Sequence, residues 1–190
     1  MSAVRRNIFI GLLVTASILL SGCAIVATPG TGMMGAGSNY YFSNINCKVP
    51  SNLHGAPVKV FLSDMGMTRM MGGVAPRSAH MRLVVQPQRI SAGVVSFIAE
   101  NLGWRTHELV ILPLAVGQQA GSRVIGSDGK TSEYGSVGEA SNNCGLGVGE
   151  GIAAGSASWM TISLKPGRYE LVCNLANHYA DGMYQELDVI

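Results

Sequence analysis

Short segments in which apolar residues alternate with polar ones, or run together, recur from about residue 45 to the end of the chain. Each segment has five to eight residues and is bounded by turn residues such as Lys165-Pro166-Gly167, and most of the segments contain several β-branched side chains. This length and a period of two predict β-strands. The predicted strands are 58–63, 81–86, 93–100, 107–114, 158–164, 169–173 and 183–189.

A long segment, 115–157, interrupts this series and is rich in Gly, Ser and Asn. Within it, the pattern predicts one short helix over 133–140, and no other stretch indicates a long amphipathic helix. The chain has 190 residues, of which 47% are hydrophobic, 13% are charged and 25 are glycine, and this composition fits one glycine-punctuated β domain. We therefore expect an all-β fold, a Greek-key β-sandwich with a long Gly-rich loop insertion.

The N-terminus has the pattern of an export signal. Two arginines precede an apolar run over 8–20 that is too short to span a membrane comfortably. The run ends in the sequence LSGC, which resembles the bacterial lipoprotein box, whose cysteine is acylated and becomes the new N-terminus. An ordinary secretory signal with an incidental Cys23 is the alternative. We expect a lipoprotein signal peptide over 1–22, a flexible tether over 23–44 and a folded domain over 45–190.

The formal net charge of +2 is accounted for by the two arginines of this signal. Without residues 1–22 the charge is near zero, so the chain has no basic surplus that would favour nucleic acid as a partner. The membrane is expected to be a partner through the lipid on Cys23. The protein is therefore expected to be exported and lipid-anchored to a bacterial membrane, on its periplasmic or extracytoplasmic face.

The residues that suggest chemistry lie in and between the last two predicted strands. Cys173, His178 and Met183 have the spacing C-x4-H-x4-M, which can bring a strand end, a loop and the next strand start to one point. A blue-copper centre needs two imidazoles and a thiolate near a plane, with a weak axial thioether. His107, at the start of an apolar strand, can supply the missing imidazole.

These residues resemble the cupredoxin family, and the long ligand loop is similar to its rusticyanin, auracyanin and sulfocyanin branch. The resemblance covers about 45–190 and implies one type 1 copper bound by His107, Cys173, His178 and Met183. Gln185 is the alternative to the methionine as an axial ligand. Some relatives have Asn or Ser after the first histidine, whereas this chain has Glu108 there, which leaves the hydrogen bonding near the thiolate open.

The resemblance implies a carrier of single electrons and not an enzyme. A copper nitrite reductase needs three further histidines for a second copper, and only His54 and His80 are left over. We expect a monomer with no small-molecule substrate. Transient redox partner proteins are expected to reach the His178 imidazole edge through a mostly apolar patch, which consists of Leu175, Ala176, Tyr179 and Ala180. The alternative function is an exported copper-storage or metallochaperone module.

Four cysteines are present, and one is assigned to lipid and one to copper. The two that remain, Cys47 and Cys144, are expected to pair, because an exported protein meets an oxidising compartment. Two independent buried thiols are the alternative. On the chain-entropy model such a bond stabilises by about 4 kcal/mol.

A methionine cluster is the last candidate for chemistry. Met65, Met67, Met70 and Met71 lie in a Gly-containing segment with His80 a few residues beyond. Thioethers favour copper(I), so a second, weaker copper(I) port is one interpretation. The other is an apolar lid over the copper end of the sandwich or over a partner.

Overall fold

The computed structural model describes residues 45–64 and 80–190. In these ranges all regular secondary structure is β, which confirms the all-β prediction. Ten strands are found: β1 Ala56–Asp64, β2 Met81–Gln86, β3 Arg89–Ile90, β4 Gly93–Asn101, β5 Leu109–Leu114, β6 Gly138–Ala140, β7 Gly145–Leu146, β8 Ala157–Leu164, β9 Gly167–Val172 and β10 Tyr184–Val189.

The ten strands form two sheets of five. The first sheet has the order β2-β1-β4-β8-β7 and the second has the order β3-β10-β9-β5-β6. The pairs β1–β4, β3–β10 and β7–β8 are parallel, and the other pairs are antiparallel. The chain passes from the first sheet to the second after β2, after β4 and after β8, and it returns to the first sheet after β3 and after β6, as expected of a sandwich.

The core lies between the two sheets and follows the period of two. On β1, Val58, Val60 and Leu62 are fully buried, and they belong to one hydrophobic cluster with Phe97 of β4. The second sheet contributes side chains from its own strands to the same cluster, among them Leu171. Alternation along β1 therefore predicts its core residues well, because successive side chains point to opposite faces of a sheet.

The strand β5 departs from this alternation, since four successive residues, 109–112, are buried. Its outer face packs in a second small cluster that includes Val110, Leu112 and Tyr179. The loop that follows β5 lies over this face, and the guanidinium of Arg123 forms an ion pair with the fully buried carboxylate of Glu170. The long Gly-rich insertion thus covers the second sheet from outside.

The helix predicted over 133–140 is wrong. Gly138–Ala140 forms β6, which pairs with β5, and the residues before it form a turn in which the Ser136 amide donates to the Glu133 carbonyl at 2.9 Å. Gly135 has φ +83° in this turn, a left-handed conformation that ends any helical path. Pairing with β5 therefore outweighs the weak local helical pattern.

Several predictions fall outside the described residues. These are the acylated Cys23, the signal and tether ranges, and the four methionines of the cluster. No helix among the described residues is long and apolar enough to cross a membrane.

The expected disulfide between Cys47 and Cys144 is present, with a sequence separation of 97 residues.

Candidate metal centre

One group of metal-ligating side chains in the described part of the chain has the required donors, and it consists of His107, Cys173 and His178. His107 stands just before β5, Cys173 directly follows β9, and His178 lies in the loop between β9 and β10. All three residues are buried, and His178 retains 4% exposure. Met183, one residue before β10, is fully buried and packs in the same hydrophobic cluster as Cys173.

The donor atoms of the three residues form a small triangle. Nδ1 of His107 lies 3.1 Å from Nδ1 of His178, and Sγ of Cys173 lies 3.3 Å from Nδ1 of His178 and 3.8 Å from Nδ1 of His107. A circle through three atoms at these separations has a radius of about 2.0 Å, close to the ~2.0–2.1 Å metal–imidazole and ~2.3 Å metal–thiolate distances of zinc sites. A first-row transition-metal ion therefore fits among them.

Backbone hydrogen bonds shape the loop of Cys173, His178 and Met183. The His178 amide donates to the Leu175 carbonyl at 2.9 Å, and the Met183 amide donates to the His178 carbonyl at 3.1 Å. The Cys173 amide donates to the Met183 carbonyl at 3.0 Å, which closes the loop at its base. Asn177 adopts φ +70°, a conformation that Asn tolerates better than most residues. The C-x4-H-x4-M spacing thus corresponds to a loop that folds back on itself.

His107 is held differently. Its backbone pairs with Ile152 in an isolated bridge, and its Nε2 lies 2.9 Å from the Oδ2 of Asp64, at the end of β1. The same Oδ2 accepts the amides of Trp104 at 3.0 Å and Arg105 at 2.9 Å. No local sequence signal identifies Asp64, because it lies more than forty residues before the histidine and joins it through the pairing of β1 with β4.

Glu108 forms hydrogen bonds with the Cys173 thiol and with the residue that follows it. Its backbone amide donates to Sγ of Cys173 at 3.3 Å, and its carboxylate accepts the Asn174 amide at 3.0 Å. The Asn174 side chain in turn accepts the Thr131 amide at 2.7 Å and donates to the Thr131 carbonyl at 2.8 Å. Glu108 and the long insertion therefore restrain the residue that follows Cys173.

Burial controls the protonation of the cluster. It raises the pKa of the Cys173 thiol to about 12, with a further rise from the nearby Glu108 charge, and it lowers the pKa of His178 to about 3, with His107 adding to the effect. Burial also lowers the pKa of His107, although Asp64 opposes this. Both imidazoles are thus neutral and available as ligands, and metal binding must displace the thiol proton.

The pKa values of the two acidic neighbours, Glu108 and Asp64, are shifted in opposite directions. Burial raises the pKa of Glu108 to about 7, and the charges of Glu133 and Glu139 raise it further. Burial also raises the pKa of Asp64, but hydrogen bonds from His107 and from the Arg105 and Trp104 amides outweigh it, so the net shift is downward. Asp64 is consequently the fixed negative charge beside the cluster.

Two expectations about neighbouring residues need revision. Gln185 is not free to serve as an axial ligand, because its Oε1 accepts the Val85 amide at 2.6 Å. The prediction that Tyr179 belongs to an apolar docking patch is wrong. Tyr179 is buried against the outer face of the second sheet, and its hydroxyl donates to Glu170 at 2.9 Å. Leu175 is half-buried and packs against the core, which leaves Ala180 as an exposed residue of that loop.

Comparisons with known proteins give structural similarity only. No family model matches the chain, and no curated protein matches it. The chain is similar to reduced rusticyanin, with 18% identity, a TM-score of 0.43, and coverage of 77% of this chain and 90% of that one. It is similar to auracyanin A from Chloroflexus aurantiacus, described as a blue copper protein, with 12% identity, a TM-score of 0.41, and coverage of 71% and 100%. It is also similar to dithionite-reduced auracyanin from Roseiflexus castenholzii, with 14% identity, a TM-score of 0.41, and coverage of 72% of this chain and 99% of that one.

The chain is a sandwich of two five-stranded sheets that contains a buried His–Cys–His cluster and an adjacent buried methionine. The all-β sandwich and the buried cluster that the sequence resemblance implied are therefore both present. The individual ligand roles and the metal are inferred from the geometry of this chain.

Proposed function

We propose that this protein is a mononuclear type 1 copper protein that carries one electron at a time. The observation that carries the proposal is the triangle of two Nδ1 atoms and one Sγ atom, whose size fits a metal ion. His107, His178, Cys173 and Met183 would hold the copper, because two imidazoles, a thiolate and a thioether are the donor set that favours a redox-active copper. Copper held there would supply the one-electron couple.

The surrounding residues suit a carrier better than an enzyme. His107, Cys173 and Met183 are fully buried, so the cluster excludes water and leaves no open position for a substrate. Each ligand is fixed by strand pairing or by a closed loop, so a change of oxidation state needs little rearrangement. Of these four residues only His178 retains slight exposure, so we assign it as the exit for the electron. We also propose that the protein is a monomer and that it carries electrons between transient partner proteins.

The deciding experiment is an absorption and electron-spin-resonance spectrum of the full-length chain loaded with copper(II). A type 1 centre gives an intense thiolate-to-copper band in the visible and a narrow copper hyperfine splitting. A storage or metallochaperone module would bind copper(I) through thioethers and show neither feature. One equivalent of copper without the visible band would contradict the proposal.

The location on the outer side of a bacterial membrane, anchored by lipid on Cys23, is also proposed. The Cys47–Cys144 disulfide supports export, because such bonds persist in oxidising compartments. The test is Cys23→Ala, which should release the protein from the membrane fraction. Retention of this variant in membranes would indicate an uncleaved signal anchor instead.

A further inference from the structure

The two nitrogens of the His107 ring face different surroundings. Nδ1 is the atom that approaches His178 and Cys173, whereas Nε2 lies 2.9 Å from the Oδ2 of Asp64. We propose that Asp64 is a positioning residue of the centre, which accepts the Nε2 proton and so fixes the tautomer that presents an unprotonated Nδ1 to the metal. The inference rests on the proposed function, because it assigns a support to that same centre.

The direction of the hydrogen bond follows from the chemistry of the carboxylate. An ionised carboxylate has only acceptor atoms, so the proton between Asp64 and His107 belongs to Nε2. A neutral imidazole has one N–H, and its placement on Nε2 leaves the lone pair of Nδ1 free. Both side chains have 1% exposure or less, so water does not compete for either partner.

The chain is built closely around this carboxylate. The Trp104 and Arg105 amides also donate to Oδ2, and a Cβ on Gly103 would lie 2.4 Å from the same oxygen. Asn101 shapes the turn from the other side, because its Oδ1 accepts the Gly103 amide at 2.9 Å and its Nδ2 donates to the Arg105 carbonyl at 2.7 Å. The turn therefore brings two amides and the histidine ring to one oxygen.

A purely structural role for Asp64 makes a different prediction. If the carboxylate only held the turn through the Trp104 and Arg105 amides, its removal would loosen the backbone but would not change which nitrogen of His107 carries the proton. A carboxylate partner on the far nitrogen of a metal-bound histidine fixes ring orientation and raises ligand basicity, and its loss lowers metal affinity about 10–100-fold. The tautomer and the affinity therefore separate the two roles.

The experiment compares full-length parent, Asp64→Ala, Asp64→Asn and the control Asp188→Asn. Asp188 lies near the end of β10 and pairs with Arg89. Nitrogen-15 NMR of the metal-free proteins reports which ring nitrogen of His107 is protonated. We expect the Nε2–H form in the parent and control, and a shift towards Nδ1–H in Asp64→Ala. Titration with copper(II) should show a loss of affinity of about 10–100-fold in Asp64→Ala and none in the control.

Asp64→Asn keeps the size of the side chain and removes its charge, so it serves if the alanine variant does not fold. We expect its copper reduction potential to rise above that of the parent, because a fixed negative charge beside a ligand favours copper(II). A folded Asp64→Ala with parental tautomer and affinity, or an Asp64→Asn with parental potential, would overturn the inference. If the parent itself binds no copper, the proposed function fails, whereas the tautomer measurement still tests Asp64.

Discussion

The turn that carries His107 and the loop that carries His178 hold similar side chains by different means. His107 depends on side chains outside its own strand, because the sequence-distant Asp64 binds its ring and Asn101 shapes the turn that precedes it. His178 lies in a loop closed mainly by its own backbone hydrogen bonds, such as that from the Met183 amide to the His178 carbonyl. One half of the centre is therefore assembled by the fold and the other half by a local motif.

The His107 turn is also connected to the disulfide. The Asn46 amide donates to the Gly155 carbonyl at 2.8 Å, and the Gly155 amide donates to the Asn101 carbonyl at 2.9 Å. Asn46 adjoins Cys47, which is bonded to Cys144. The loop of His178 receives its outside support from the long insertion, since the Asn177 amide donates to the Gly129 carbonyl at 2.8 Å. The two halves can thus be weakened separately.

The largest effect is expected from the residue that both halves share. Cys173 contacts both histidines through Sγ, so Cys173→Ala should abolish the visible band of the copper(II) protein completely while leaving the sandwich folded. Absorption spectroscopy measures the band and circular dichroism the fold. A variant that keeps the band would show that the thiolate is not the charge-transfer ligand.

The next largest effect, on the free energy of unfolding, is expected from the disulfide that is connected to the His107 turn. Replacement of Cys47 and Cys144 by serine opens a cross-link over 97 residues and should lower the free energy of unfolding by about 4 kcal/mol on the chain-entropy model. Urea unfolding of the metal-free chain measures this. The copper band should survive in the native state, because neither cysteine contacts the cluster. A loss below about 1 kcal/mol would mean that the bond contributes little to the stability of the domain.

The same division explains how much of the molecule could be predicted from the sequence. Alternation predicted the seven main strands, and β2 has the predicted bounds, because burial of one sheet face leaves a period of two. The C-x4-H-x4-M motif was visible because its ligands are close in sequence. The short strands β3, β6 and β7 were missed, since two or three residues carry no periodicity.

The supports of His107 could not be predicted in the same way. Asp64 reaches the histidine only through the register of β1 beside β4, in which Leu62 is paired with Asn101. Nothing in the local sequence separates this aspartate from an exposed one. The helix expected over 133–140 fails for a related reason, because β6 takes its structure from the partner strand β5.

A smaller effect is expected from Asn101→Ala. The Asn101 side chain is fully buried and makes three hydrogen bonds, to the Gly103 amide and to the Arg105 and Ile152 carbonyls. Its removal leaves buried polar groups without these bonds, so we expect a loss of about 3 kcal/mol in urea unfolding. The exposed Asn52, changed to alanine, is the matched control and should have almost no effect. An equal, small effect in both variants would show that the turn does not depend on Asn101.

The smallest effect concerns the residue that joins the two halves. Glu108 follows His107, and its carboxylate accepts the Asn174 amide of the other half. Burial raises its pKa to about 7 from 4.5, so the folded chain holds a proton that the unfolded chain releases between these pH values. The resulting stability is complete below pH 4.5 and is lost as the pH rises to about 7. We expect this loss to be of the order of 2 kcal/mol.

Glu108→Gln isolates this contribution, because glutamine can still accept the Asn174 amide but does not titrate. The two buried histidines are present in both proteins, so their contribution cancels in the difference in unfolding free energy between parent and variant. The unfolding free energy of the parent minus that of the variant should fall as the pH rises from 4.5 to about 7, and it should stay constant at higher pH. Glu150→Gln, at an exposed position, is the matched control for the loss of one carboxyl group. A difference that does not change with pH for Glu108→Gln would mean that its carboxyl ionises as freely in the folded chain as in the unfolded one, and that the contact between the two halves carries a charge at neutral pH.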